Sequence, residues 1–199
     1  MINLSIILPT INESENLVDL IPEIIDELKI TNILNYEILV IDDGSTDNTE
    51  SVINKIRSYN DNVQLIKRKQ QPSLPKSIYL GLELSKYEYT IWLDADGSMP
   101  AKDLGKLIVK QIEYPNSVII GSRFVEGGGY KGSSLESDNN LFKSIYRIYN
   151  SEDSILATAL SKLFNNLLSK LSSSKVIDMT SGFIIGKKQY FSKYCFEKA

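Results

Sequence analysis

Residues 90–104 read TIWLDADGSMPAKDL. A β-branched and aromatic run at 90–93 meets two aspartates, Asp94 and Asp96, with only Ala95 between them. Gly97, Ser98 and Pro100 follow, so the stretch reads as a buried strand, a turn, and a helix opening at the proline. Carboxylates this close repel each other, and the usual reason to keep both is a cation held between them. The alternative is a solvated strand-to-helix turn, because Asp and Gly are ordinary turn residues. The rest of the chain has to choose.

Outward from this stretch the chain alternates. Apolar runs lie at 4–8 (LSIIL), 37–41 (EILVI), 63–67 (VQLIK), 90–93 (TIWL) and 118–121 (VIIG). Between them the spacing turns helical. Leu17, Leu20, Ile21, Ile24, Ile25 and Leu28 fall on one helix face, and Pro22 within that run predicts a kink or a late helix start. Asp47 and Glu50 form a capping-box pattern ahead of Val52, Ile53 and Ile56. A third helix is expected after Pro75, carrying Ile78 and Leu82, and a fourth after Pro100, carrying Leu104, Leu107, Ile108 and Ile112. Strand–helix alternation of this kind predicts an α/β fold with a parallel, doubly wound sheet.

The polar clusters all fall at the carboxyl ends of these strands. Pro9, Thr10, Ile11, Asn12 and Glu13 follow the first; Asp42, Asp43, Gly44 and Ser45 follow Ile41 in the second. Asp94, Ala95, Asp96 and Ser98 follow the fourth, and Gly121, Ser122 and Arg123 the fifth. Ligands of open α/β sheets bind at that end, where strand order reverses. Four clusters converging there favour the metal reading of Asp94 and Asp96. Hard oxygen ligands in such a pair suit Mg2+ or Mn2+ bound together with substrate phosphates. The ion would stabilise a leaving diphosphate as a Lewis acid. Arg123 offers a planar fork to a phosphate, or else pairs with a surface carboxylate. Asp42 and Asp43 can take hydrogen bonds from a base or ribose, or one of them caps the following helix; with two, one can do each.

Composition narrows the classes further. The 199 residues carry a net charge of −3, so no general field draws nucleic acid. Histidine is absent, which excludes His-based triads, imidazole bases and His-ligated zinc. The one cysteine, Cys195, forms no internal disulfide and agrees with a reducing, cytoplasmic compartment. Asn3 and Ser5 interrupt the apolar start, so no signal peptide is expected, and no apolar run approaches the ~20 residues a membrane span needs.

PTINE, DDGSTD, DAD, GSRF and DMTSGF, in this order, resemble the family 2 glycosyltransferases, in particular the dolichyl-phosphate mannose synthases and related polyprenyl-phosphate sugar transferases. The resemblance covers residues 4–183 and implies the glycosyltransferase A-type fold, a mainly parallel sheet flanked by helices, as a single catalytic domain over 1–199. It implies a nucleotide-sugar donor, a divalent metal and inversion at the anomeric carbon. The nucleotide-sugar would lie on Pro9, Thr10, Ile11 and Glu13, on Ile41, Asp42, Asp43 and Ser45, and on Asp94, Ala95, Asp96 and Ser98. Asp94 and Asp96 would handle metal and diphosphate, and Arg123 phosphate; these three are the expected catalytic set. The chain departs from the family pattern at Ile11 (usually Tyr), Ser98 (usually Gln), Ile184 (usually Arg, with Lys187 and Lys188 nearby here) and Ser73-Leu74-Pro75-Lys76, where a G-L-G-x-A stretch is usual. Many members continue into membrane helices; this chain stops at Ala199, as a soluble relative or a catalytic fragment.

Two further expectations concern residues 124–171. The segment 124–153, with Gly127, Gly128, Gly129, Gly132 and several serines, is expected to be a mobile lid bringing Lys131, Lys143 and Arg147 over bound phosphates, or else an insertion without function. Residues 154–171 carry an apolar stripe, Leu156, Leu160, Leu163, Phe164, Leu167, Leu168 and Leu171, flanked by Lys162 and Lys170. Such a helix either covers the sheet or lies in a membrane interface. A phosphate monoester, with a second pKa near ~6, needs no base to become a nucleophile, which suits a chain without histidine. The expected acceptor is therefore a polyprenyl phosphate at the cytoplasmic face of a membrane, reached by peripheral contact or an anchoring partner, with Arg123, Arg147, Ser181 and Gly182 on the acceptor side. A family 2 transferase acting on a sugar hydroxyl, and a nucleotide-binding module without turnover, stay open beside it. A dinucleotide oxidoreductase lacks its glycine fingerprint after the first strand.

Overall fold

The apolar runs build one sheet. In the computed structural model, which describes residues 2–122 and 181–191, six strands stand in the order β3-β2-β1-β4-β6-β5. They are β1 Leu4–Thr10, β2 Tyr36–Asp42, β3 Val63–Lys67, β4 Tyr89–Trp92, β5 Ile119–Ile120 and β6 Ile184–Lys187. Helices α1 Ser14–Ile30, α2 Thr49–Arg57, α3 Leu74–Leu84 and α4 Ala101–Glu113 connect the first five. The chain divides into two units, Met1–Ile120 with Gly182–Ala199, and Gly121–Ser181.

β1 lies parallel to both β2 and β4, Leu4 opposite Tyr36 and Tyr89, Ile7 opposite Leu39 and Trp92. All seven of its residues are buried because both faces of the sheet are covered. Leu4, Ile6 and Leu8 join a core with α1, α2 and α4. Ile7 turns the other way and packs with Leu39, Ile41 and Trp92 against Ile78 and Leu82 of α3. The alternation follows from the two-residue period of a strand. The placement of α3 follows from handedness: the path β1-β2-β3 steps one way, β3 to β4 steps back, and a right-handed crossover then falls on the opposite face.

The six apolar positions of α1 are its buried residues. The helix runs from Ser14 through Pro22 to Ile30, so the proline does not mark its start. The lost backbone bond at Pro22 is outweighed by burial on both sides of it, at about 1.5–3 kcal/mol per fully buried Leu or Ile. In α4 the expected inward Ile112 is 47% exposed and Gln111 is buried instead, its amide donating to the carbonyls of Tyr114 and Ser117 at 3.1 Å each. The capping box does not form: Glu50 pairs with Lys67 at 2.6 Å.

β6 has no counterpart among the expected strands. It runs antiparallel to β4 and β5 and separates them, Ile185 opposite Ile91 and Ile119. Glu37 stands at the amino ends of the strands, 2% exposed, accepting from Ser5 Oγ at 2.5 Å and from the Lys86 amide at 2.8 Å. Among the described residues no helix is long and apolar enough to cross a membrane.

Candidate functional site

The site lies where the strand order reverses. β2 and β4 flank β1 on opposite sides, and the loops leaving β1, β2 and β4 gather around this point at the carboxyl ends of the strands.

The β1–β2 side is laced by backbone and short side chains. The Asp43 amide donates to Thr10 O at 2.9 Å, and Thr10 Oγ1 donates to Leu8 O at 3.0 Å. Asn12 has φ 55, a conformation Asn tolerates better than most residues. From there its amide donates to Ser45 Oγ at 2.8 Å and its carboxamide oxygen accepts from the Thr46 amide at 2.8 Å. Asp42, at the end of β2 and 3% exposed, turns the chain by accepting from the amides of Gly44 (3.2 Å) and Ser45 (2.8 Å) on Oδ1. Asp47 joins two helix starts: Oδ1 accepts from Thr49 N and Oγ1, Oδ2 from Ser14 N. The Thr49 hydroxyl first, then Ser14 through its side chain and its amide, hold its carboxyl well below the usual carboxylate range.

Asp43 has a different destination. Its carboxylate pairs with the Arg68 guanidinium through Oδ1 and accepts from Ser73 N and Ser77 Oγ, both at 2.8 Å, through Oδ2. It caps α3, not the helix that follows it in sequence. The cap expected of one of the pair, on the following helix, is not made by Asp43, which engages the start of α3 instead. The altered segment 73–76 is compatible with this. Ser73 is extended, with φ −161, which any residue adopts, and Pro75 sits in the first turn of α3, where its missing amide costs nothing.

The β4 side carries the aspartate pair. The Leu93 amide still donates to Ile7 O at 3.3 Å, after which the chain turns. Asp94 is half-buried, Ala95 buried and Asp96 exposed. Asp96 Oδ1 accepts from the Ser98 amide at 2.8 Å across Gly97, whose φ of +71 makes glycine the fitting residue. The Asp94 carboxylate rests on Gly182: a Cβ there would stand 3.1 Å from Oδ2, 3.3 Å from Oδ1 and 3.3 Å from Met99 Cε. Gly182, expected on the acceptor side, thus abuts the carboxylate expected to bind metal. Glu13 opens α1 and accepts from Asn16 Nδ2 at 2.6 Å, while a side chain at Gly97 would lie 3.6 Å from Asn16 Oδ1. The first turn of α1 therefore adjoins the aspartate loop.

Of the expected residues, Pro9 and Ile41 are buried and register-paired within the sheet, and Ile11 is 44% exposed beyond β1. Ser181 belongs to the second unit. Arg123, Arg147, the lid at 124–153 and the stripe at 154–171 lie outside the described residues. Arg68 and Ser77 escaped the sequence reading, while Asn12, Asp47 and Ser73 entered it only as part of a polar cluster, a capping-box pattern and an altered segment, not in the hydrogen-bonding roles they take here.

The sequence matches Glycosyl transferase family 2 over residues 5–195. The chain belongs to that family. Its fold is the glycosyltransferase A-type α/β fold. It is 36% identical over 124 residues to a dolichol-phosphate mannosyltransferase of Pyrococcus furiosus, covering 62% of this chain and 34% of that one. It is 36% identical over 133 residues to the poly(ribitol-phosphate) beta-N-acetylglucosaminyltransferase TarP of Staphylococcus aureus, covering 65% of this chain and 39% of that one. The chain thus spans well under half the length of these relatives. Glucosyl-3-phosphoglycerate synthase from Mycobacterium tuberculosis, solved with Mn2+, UDP and glucosyl-3-phosphoglycerate, superposes with a TM-score of 0.57 at 18% identity, over 94% of this chain and 57% of that one. At that identity the likeness concerns the fold.

Proposed function

We propose that this chain, as a single catalytic domain over residues 1–199, transfers a hexose with inversion from a nucleotide-sugar to a polyprenyl phosphate at the cytoplasmic face of a membrane. The observation that carries the reading is the Asp94 carboxylate seated on Gly182 at the reversal of strand order, with Asp96 beyond it. The donor set fits a hard divalent ion: both side chains offer oxygen only. Among the described residues no group of three Asp, Glu, Cys or His side chains could hold a metal ion, and substrate phosphate oxygens would supply further ligands to an ion on this pair. Asp94 and Asp96 would hold Mg2+ or Mn2+, which when bound would neutralise charge on the departing diphosphate.

The chain's own groups do the rest. Asp42 and the Asn12–Ser45–Thr46 lacing present a preformed corner to the base and ribose. Glu13, held by Asn16, faces the same end of the sheet at the start of α1. An acceptor phosphate oxygen attacks the anomeric carbon, the bond from that carbon to the diphosphate breaks, and the diphosphate leaves with the electron pair. No proton moves, so no base is required. Arg123 and the basic residues of 124–153 would orient the acceptor phosphate.

The similarity to TarP favours a second reading, transfer to a sugar hydroxyl, which does need a carboxylate base. Donor and Mn2+ supplied with either a short polyprenyl phosphate or the matching polyprenol separate the two. Transfer to the phosphate only is the expected result; transfer to the alcohol but not the phosphate refutes it. Asp94→Ala and Asp96→Ala should each abolish transfer in a folded protein, and full activity of Asp96→Ala would remove the metal assignment.

A further inference from the structure

We propose that Arg68 is a positioning residue of the nucleotide side of this site, acting through Asp43; the proposal rests on the nucleotide-sugar reading above. Arg68 follows β3 directly and is 8% exposed, rare for arginine unless its charge is matched. Its amide donates to Asp42 O at 2.8 Å. Its guanidinium pairs with Asp43, donates through Nη1 to Ser77 Oγ (3.2 Å) and Ser73 O (3.4 Å), and through Nη2 to Gln71 O (3.5 Å). One planar group thus ties the end of β2, the loop after β3 and the start of α3. Ser73, the residue before α3, makes no side-chain cap of its own, so the helix start depends on Asp43 for its acceptor.

Electrostatics gives the clamp its purpose. Two neighbouring carboxylates at the end of β2 would repel each other and an incoming diphosphate. Arg68 neutralises one of them and turns it inward, while Asp42, the other of the two, has no ion pair among the described residues. The fork is spent on Asp43 and two loop carbonyls, so Arg68 orders the corner without touching phosphate. Lysine can match the charge but cannot serve the same acceptors in one plane. The clamp sits at β2 and β3, with β1 between it and the Asp94–Asp96 loop of β4, so its loss should weaken nucleotide binding without removing the metal ligands.

The test uses Arg68→Lys, Arg68→Met and Ser77→Ala in the full chain, with UDP and GDP each titrated calorimetrically in Mn2+ and thermal melting run in parallel. Arg68→Lys should melt close to wild type yet bind the preferred nucleotide ~10-fold more weakly, and Ser77→Ala should show a smaller loss of the same kind. In nucleotide-sugar hydrolysis the loss should fall on KM and not on kcat. Wild-type affinity in a folded Arg68→Lys overturns the proposal, as does affinity that follows only the folded fraction across the three variants. If Arg68→Met does not fold, the other two variants decide. A wild-type chain that binds neither nucleotide overturns the functional reading itself, a result distinct from variants that bind as well as wild type.

Discussion

Asp94 and Gly182, far apart in the sequence, meet so closely that a methyl group fits only if a neighbour shifts. A Cβ at 182 would stand 3.1 Å from Asp94 Oδ2, closer than nearly all such contacts. The carboxylate or Met99 would have to shift by a few tenths of an ångström, enough to disturb a metal ligand without unfolding the sheet. Gly182→Ala should therefore lower Mn2+ affinity and transfer by ~10-fold or more while the melting temperature falls little. Electron paramagnetic resonance of Mn2+ binding checks it; unchanged binding would show that Asp94 does not need this seat. Asp43 shows the converse. Its place in the sequence suggests ligand contact, yet its acceptors are filled by Arg68, Ser73 and Ser77.

At the scale of elements, Asp47 couples α1 and α2 by accepting from the first amides of both helices. Its carboxyl is held below the ordinary range, chiefly by the Thr49 hydroxyl. A lowered native pKa gives stability that is present above the unfolded value near ~3.9 and is lost as pH falls through the native one. The melting-temperature gap between wild type and Asp47→Ala should thus be level from about pH 8 to about pH 5 and narrow below ~3.9. A gap that stays constant down to about pH 2.5 would show that charge is not its source.

At the scale of the molecule, the sheet is closed from far along the chain. β6 fills the space between β4 and β5, with Ile185 fully buried between Ile91 and Ile119. Phe191 meets Trp92 edge-on at 4.8 Å. Ending the chain at Ser181 would leave β5 without a pairing strand and expose the edge of β4. Such a truncation should lose the cooperative urea transition reported by Trp92, the chain's one tryptophan. A sharp transition at the wild-type midpoint would mean that β6 is dispensable.

What the sequence by itself determined is local. Continuous apolar runs marked β1 to β4, a single helical stripe marked the buried face of α1 residue for residue, and the polar clusters marked the carboxyl ends of the strands. These are short-period patterns set by burial on one or both faces, and burial is written in residue type. The tertiary structure decided who meets whom. A four-residue strand, Ile184–Lys187, is too short to show a period, and only the vacant edge of β4 makes it a strand. Gln111 took the inward place expected of Ile112, and its amide donates to the carbonyls of Tyr114 and Ser117. Asp43 took the α3 cap over the nearer helix because Arg68, Ser73 and Ser77 converge on it from elements far along the chain. Hydrogen-bond and charge satisfaction between distant segments depends on their arrangement in space, and no periodicity along the chain records it.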